Sequence, residues 1–174
     1  MAFSDPMPSQ QPPLASEMRG SLPSLAAWVL SIVTLGAGVG LLFAPDAWFS
    51  ALHKPTWNPP GWLFAPVWAT LYALMGTSIW LVRRQSDAGA EARHRASVLF
   101  LLQLVLNLLW TPIFFGLRSP LLAFIEICAL WCAVLFTAVE FGKIRALAGY
   151  LFLPYLLWVS LALVLNGTIW LMNI

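Results

Sequence analysis

Gln103, Asn107, Trp110 and Phe114 stand at i, i+4, i+7 and i+11, so a helix through them carries two amides and two aromatic rings on one face. Tyr155, Trp158, Ala162 and Asn166 repeat the arrangement after Pro154, and Trp68, Tyr72 and Met75 form a third stripe. All three lie in strongly apolar stretches, where polar side chains must turn inward. Two readings stay open. Either the amides serve only to bond neighbouring helices and the rings to pack between them, or together they line a mostly aromatic cavity with a few polar anchors, suited to a planar apolar ligand. Gln103, Glu126 and Tyr155 are the candidates for polar support, Glu126 because a carboxyl two turns into an apolar helix must be paired, protonated or open to a water-filled space.

The run His53-Lys-Pro-Thr-Trp-Asn-Pro-Pro-Gly-Trp62 joins two apolar stretches. Its prolines restrict the backbone and remove amide donors that would be costly to leave unpaired near lipid. The run reads as a stiff cover at a membrane face, or more simply as a place where Trp57 and Trp62 anchor at the interface. Axial haem ligation by His53 is disfavoured, since no second histidine is placed beside it. The chain has no nucleophile elbow, phosphate loop, metal-ligand cluster or paired catalytic carboxylates. Hence no metal, no required cofactor and no certain catalytic residue are expected.

The elements that must position these residues follow from composition. With 60% hydrophobic and 9% charged residues in 174, against about a quarter charged in soluble domains, the chain cannot clothe a water-facing surface. The expected fold is an all-α membrane protein, a bundle of five transmembrane helices at about 22–43, 62–82, 96–115, 121–139 and 147–172, each able to cross roughly 30 Å of hydrocarbon. Residues 1 to 21, rich in Pro, Ser and Gln, read as a disordered tail. Residues 44 to 61 form the long connection.

Five spans put Arg19, Arg83, Arg84, Arg93, Arg95, Lys143 and Arg145 on one side, against Lys54 and Arg118 on the other. The positive-inside rule then makes the amino terminus cytoplasmic. The net charge of +2 gives no reason to expect nucleic acid. Cys128 and Cys132, one turn apart, read as packing residues. Gly36 and Gly40 form a small-xxx-small pair that permits a homodimer, although the same pattern also serves packing within a chain.

Four ordered motifs, Lys54-Pro-Thr-Trp-Asn-Pro-Pro-Gly-Trp62, Pro66-Val-Trp-Ala-Thr-Leu-Tyr72, Leu106-Asn-Leu-Leu-Trp-Thr-Pro-Ile-Phe-Phe-Gly116 and Pro154-Tyr-Leu-Leu-Trp158, give a more specific reading. The chain resembles the translocator protein family, the tryptophan-rich sensory proteins (TspO/MBR) once called peripheral-type benzodiazepine receptors, in its bacterial form. The resemblance implies a pocket beneath the 44–61 loop that binds porphyrins such as protoporphyrin IX, in a receptor or transporter acting in tetrapyrrole transport, sensing or stress regulation. It places Trp57, Trp68, Asn107, Trp110, Trp158 and Ala162 at the ligand. An alternative activity implied by the family is light-dependent porphyrin breakdown, which would involve Trp68 and Trp158 without a general acid or base. A dimeric, non-catalytic interaction protein is a further alternative. The stretch matching the animal sterol pattern, Leu165-Asn-Gly-Thr-Ile-Trp-Leu-Met172, has neither Tyr nor a basic residue, which argues against sterol binding. Apolar helices favour an inner membrane, whereas some bacterial relatives point to an outer one.

Overall fold

The computed structural model of the protein describes residues 14–174, and their side chains from Leu22 onward. The first 13 residues of the expected tail lie outside the described residues. Within them the chain is helical and contains no strand. Helix α1 spans Leu14–Leu42, α2 Ala47–Ala51, α3 Phe64–Arg83, α4 Ala90–Thr111, α5 Pro120–Ile144, α6 Ala146–Tyr150 and α7 Leu153–Met172. Five stretches are long and apolar enough to cross a bilayer: Leu22–Leu42, Gly61–Arg83, Ala90–Gly116, Pro120–Ile144 and Ala146–Met172.

Several boundaries differ from those expected, each for a physical reason. Helix α1 begins at Leu14 rather than about residue 22, α4 begins at Ala90 rather than about 96, and α5 runs on to Ile144 rather than about 139. Hydropathy marks only the part of a helix that meets hydrocarbon. The extra turns of α4 and α5 hold charged groups that pair with each other, Arg95 Nη2 to Glu140 Oε2 at 3.2 Å and Lys143 Nζ to Glu140 Oε1 at 2.6 Å. The fifth segment is broken rather than continuous. Pro154 lies in the first turn of α7, and a proline there has no amide to continue the ladder from α6. Pro112 likewise heads a π-helical turn, Pro112–Gly116, at the end of α4, the kind of irregularity often found at functional sites. The long connection also contains an unanticipated helix, α2, capped by Asp46, whose Oδ1 accepts the Phe49 amide at 3.2 Å.

Around the bundle, α1 packs on α3, α5 packs on both α4 and α7, and α6 joins α5 to α3. Ser78 Oγ donates to the Ala148 carbonyl at 2.6 Å across the last of these joints. Met75, Ile79, Phe100, Val134, Phe141 and Phe152 form the buried centre, with Phe100 stacked on Phe141 at 6.0 Å between centroids. Large apolar side chains such as Leu30, Leu101, Ile125, Phe136 and Leu157 point outward. Between helices in lipid, close packing supplies what hydrophobic burial cannot. Gly76 shows this: a Cβ there would lie 2.8 Å from Val29 Cα, so only glycine lets α3 approach α1 so closely. Cys132 is exposed on the outside of α5 while Cys128 is half-buried, both as free thiols, so Cys132 is not the interior packing residue expected of it.

A clasped loop and a tryptophan and tyrosine centre

Asn107 sits where three helices meet. Its Oδ1 accepts a hydrogen bond from the Tyr72 hydroxyl of α3 at 3.0 Å, and its Nδ2 donates to the Tyr155 hydroxyl oxygen of α7 at 2.9 Å. All three side chains are buried. One amide thus uses both ends to tie α3, α4 and α7 together, which satisfies polar groups that would be costly to leave unpaired in hydrocarbon. Tyr155 receives a bond here and keeps its own hydroxyl proton to offer.

Aromatic rings cover this centre. Trp68 stacks on Tyr72 at 5.2 Å with an interplanar angle of 29° and meets Tyr155 edge-on at 6.2 Å. Gly36 of α1 makes room for the Tyr72 ring: a Cβ at Gly36 would lie 2.1 Å from Tyr72 Cε2. Gly36 is therefore engaged within the chain, whereas a Cβ at Gly40 would meet nothing within 4 Å. Only Gly40 of the pair is open to a second copy.

The other expected ligand residues are distributed around this centre. Trp110 Nε1 donates to Asn166 Oδ1 at 3.1 Å, Asn166 Nδ2 donates to the Pro120 carbonyl at 2.8 Å, and the Trp110 ring stacks on Phe114 at 5.1 Å. Trp158 meets Phe64 edge-on at 5.7 Å. Ala162 packs partly buried against the core. Trp57 belongs to the loop and is half exposed, and among the described residues it makes no ring contact. The structure thus joins Trp68, Asn107 and Tyr155 directly, holds Trp110 and Trp158 in neighbouring aromatic pairs, and leaves Trp57 apart.

Two polar side chains of the interior are unspent. Gln103, one turn from Asn107, is fully buried, and among the described residues neither its Oε1 nor its Nε2 has a hydrogen-bond partner. Among the described residues, both carboxyl oxygens of Glu126 are likewise buried without a partner. Such groups are rare in folded proteins and call for a bound water, ion or ligand.

The loop between α1 and α3 is fastened at two points. His53 donates its amide to Asn173 Oδ1 at 2.9 Å, and Asn173 Nδ2 donates back to the His53 carbonyl at 2.9 Å. Asp46 Oδ2 accepts from Arg118 Nη2 at 2.7 Å, Arg118 being in the left-handed region at φ 51° in the α4–α5 connection. The Phe49 amide bonded to Asp46, followed by the Arg118 guanidinium, holds the Asp46 carboxyl below its ordinary value. Trp48 and Phe49 both meet Phe114 edge-on, at 5.9 and 6.0 Å, so α2 rests on the ring that stacks with Trp110. The side chain of His53 is exposed, and among the described residues no group of three or more His, Cys, Asp or Glu gathers as metal ligands. Tyr72, Asn166 and Phe114 stood on the expected stripes without being singled out as site residues. Asn173 carried no signal, being one polar residue near the end of an apolar helix.

Known proteins are similar to this chain in sequence. The TspO/MBR family pattern matches residues 27–171. The chain is 40% identical to the tryptophan-rich protein TspO of Chlorobaculum tepidum, over 82% of this chain and 97% of that protein. It is 38% identical to protein CrtK of Rhodobacter capsulatus, over 88% and 94% of the two chains, and 35% identical to the translocator protein of Homo sapiens, over 91% and 90%. With five apolar helices in order and a family match that runs from the first of them to the last, the chain is a membrane protein that belongs to the TspO/MBR family.

Proposed function

We propose that this protein is a membrane receptor or transporter that binds a porphyrin such as protoporphyrin IX at the tryptophan and tyrosine centre, beneath the clasped loop. The observation that carries this reading is the Tyr72–Asn107–Tyr155 bridge under the Trp68 ring. It combines a flat aromatic surface with a small number of fixed polar groups, the usual makeup of a site for a mostly apolar ligand. The unspent amide of Gln103 and carboxyl of Glu126 would supply further polar contacts. In this reading Trp110, Trp158 and Ala162 complete the walls and Trp57 meets the ligand from the loop. The amino terminus faces the cytoplasm, since Arg83, Arg84, Arg93, Arg95, Lys143 and Arg145 share its end of the bundle.

Titration of the purified protein with protoporphyrin IX, followed by tryptophan fluorescence, tests the proposal. Quenching should saturate, and the pair Trp68→Ala and Trp158→Ala should weaken binding by about tenfold or more, about 1.4 kcal/mol. A folded double variant with wild-type affinity would place the ligand elsewhere.

A further inference from the structure

The end of the bundle that carries the α3–α4 connection has two hollows, one with balanced charges and one with cations alone. One, of about 310 Å³, is lined by Gln85, Asp87, Arg95, Glu140 and Lys143 among others. Its cations are spent, because Glu140 pairs with both Arg95 and Lys143. The other, of about 180 Å³, is lined by Arg83, Arg93, His94 and Ser97. No carboxylate reaches it, and among the described residues neither Arg83 nor Arg93 forms a salt bridge.

Both guanidinium groups are nevertheless held in place. Arg93 Nη1 donates to the carbonyls of Gln85, Ser86 and Ala88, and Arg83 lies over the Trp28 ring at 5.6 Å. These contacts fix position, and among the described residues no carboxylate neutralises either group. Ser97 directs its hydroxyl to the Arg93 carbonyl at 2.8 Å, so recognition falls to the two guanidinium groups and the imidazole of His94.

The depth of this hollow identifies its occupant. Arg83 is the first charged residue after the apolar run of α3, and Arg93 and His94 come just before the apolar run of α4. Trp80 stands at the same level, its Nε1 bonded to Ser24 Oγ at 3.0 Å and its ring beneath Arg84 at 4.8 Å, as interfacial tryptophans do. From His94 an exposed stripe runs along α4 through Val98, Leu101, Leu102 and Val105, at the spacing of one helix face.

We propose that the hollow of Arg83, Arg93, His94 and Ser97 binds the phosphate group of an anionic phospholipid, whose acyl chain lies along Val98, Leu101 and Val105. Guanidinium groups suit a phosphate through paired N–H donors, and basic recesses between helices on the cytoplasmic side are the expected place for an anionic headgroup.

The test uses the full chain in detergent micelles, with binding followed by native mass spectrometry for short-chain phosphatidylglycerol, short-chain phosphatidylcholine and inorganic phosphate. Phosphatidylglycerol should bind most tightly. Arg83→Gln should weaken it about fivefold, the effect of one interfacial cation, while Arg83→Lys loses less and Arg145→Gln, an equal loss of charge outside the hollow, loses nothing. Equal losses for Arg83→Gln and Arg145→Gln, or equal binding of phosphatidylcholine, would overturn the site. Inorganic phosphate bound as tightly as phosphatidylglycerol would overturn the assignment to lipid. If Arg83→Gln does not fold, His94→Gln at the exposed rim takes its place in the same comparison.

Discussion

Asn173 and His53, 120 residues apart, exchange two hydrogen bonds of 2.9 Å, the Asn173 side chain completing the backbone of His53 as a strand partner would. The loop between α1 and α3 is thereby fastened to the last turn of α7. Replacing Asn173 by Ala removes both bonds, each worth about 1 kcal/mol, and leaves backbone groups that water can solvate. Local opening should rise while global stability changes little. Hydrogen exchange of residues 53 to 58 should quicken, and protoporphyrin IX should dissociate faster. An exchange profile like that of the wild type would mean that the prolines alone hold the loop.

Tyr72→Phe and Tyr155→Phe each leave one end of the Asn107 amide unpaired. Hydrogen bonds between membrane helices average about 0.6 kcal/mol and reach about 1.7, so each single change should lower stability by about 1 kcal/mol. Asn107→Leu removes the unpaired amide at its source. The costs should therefore fail to add: Tyr72→Phe in an Asn107→Leu background should be nearly neutral. Denaturation in detergent of Tyr72→Phe, Asn107→Leu and their double variant measures this coupling, and simple additivity would show that Tyr72 and Asn107 act independently.

Gly36 and Gly40 should respond differently to the same change. A Cβ at Gly36 meets the Tyr72 ring at 2.1 Å, so Gly36→Ala must shift Tyr72 and, through it, Trp68, at a cost of about 1–3 kcal/mol for overpacking. Gly40→Leu should leave the melting temperature unchanged. Where a second copy packs against this face, the same change should weaken self-association. Melting curves and size-exclusion chromatography with light scattering separate the two effects, and equal destabilisation by both would contradict the packing of α1 on α3.

Asp46 makes the α2 cap sensitive to acid. Its carboxyl is held below the ordinary value of 3.8 by the Phe49 amide and by Arg118, so its contribution is fully present above that value and is lost as pH falls through the lower, folded one. Asp46→Asn keeps a capping side chain and removes the ion pair, and should abolish the acid response while α2 stays formed. Fluorescence of Trp48, followed from neutral pH downward, reports the change. An identical acid profile in Asp46→Asn would assign the transition to another group.

The α1–α3 and α4–α5 connections illustrate how unevenly the site could be read in advance. The stiffness of the run from His53 to Trp62 could be read in advance, because prolines restrict the backbone locally whatever they pack against. The clasp to Asn173 and the pair of Asp46 with Arg118 were not legible. Each joins residues far apart in the chain, and a single asparagine or arginine near a span boundary has many possible partners.

The sequence by itself determined that this chain is a five-helix membrane protein and that Asn107, Trp68 and Tyr155 turn inward, because apolar length and a 3.6-residue period are local properties set by the bilayer and the helix. Only the tertiary structure decided which of those inward faces meet. It showed Asn107 divided between two tyrosines, Gly36 committed to Tyr72 and not to a second copy, Trp110 turned to Asn166, and Gln103 and Glu126 left without partners. Helix periodicity sets the direction of a side chain, but the close approach of backbones at positions such as Gly76 and the break before Pro154 set its depth and rotation against neighbouring helices.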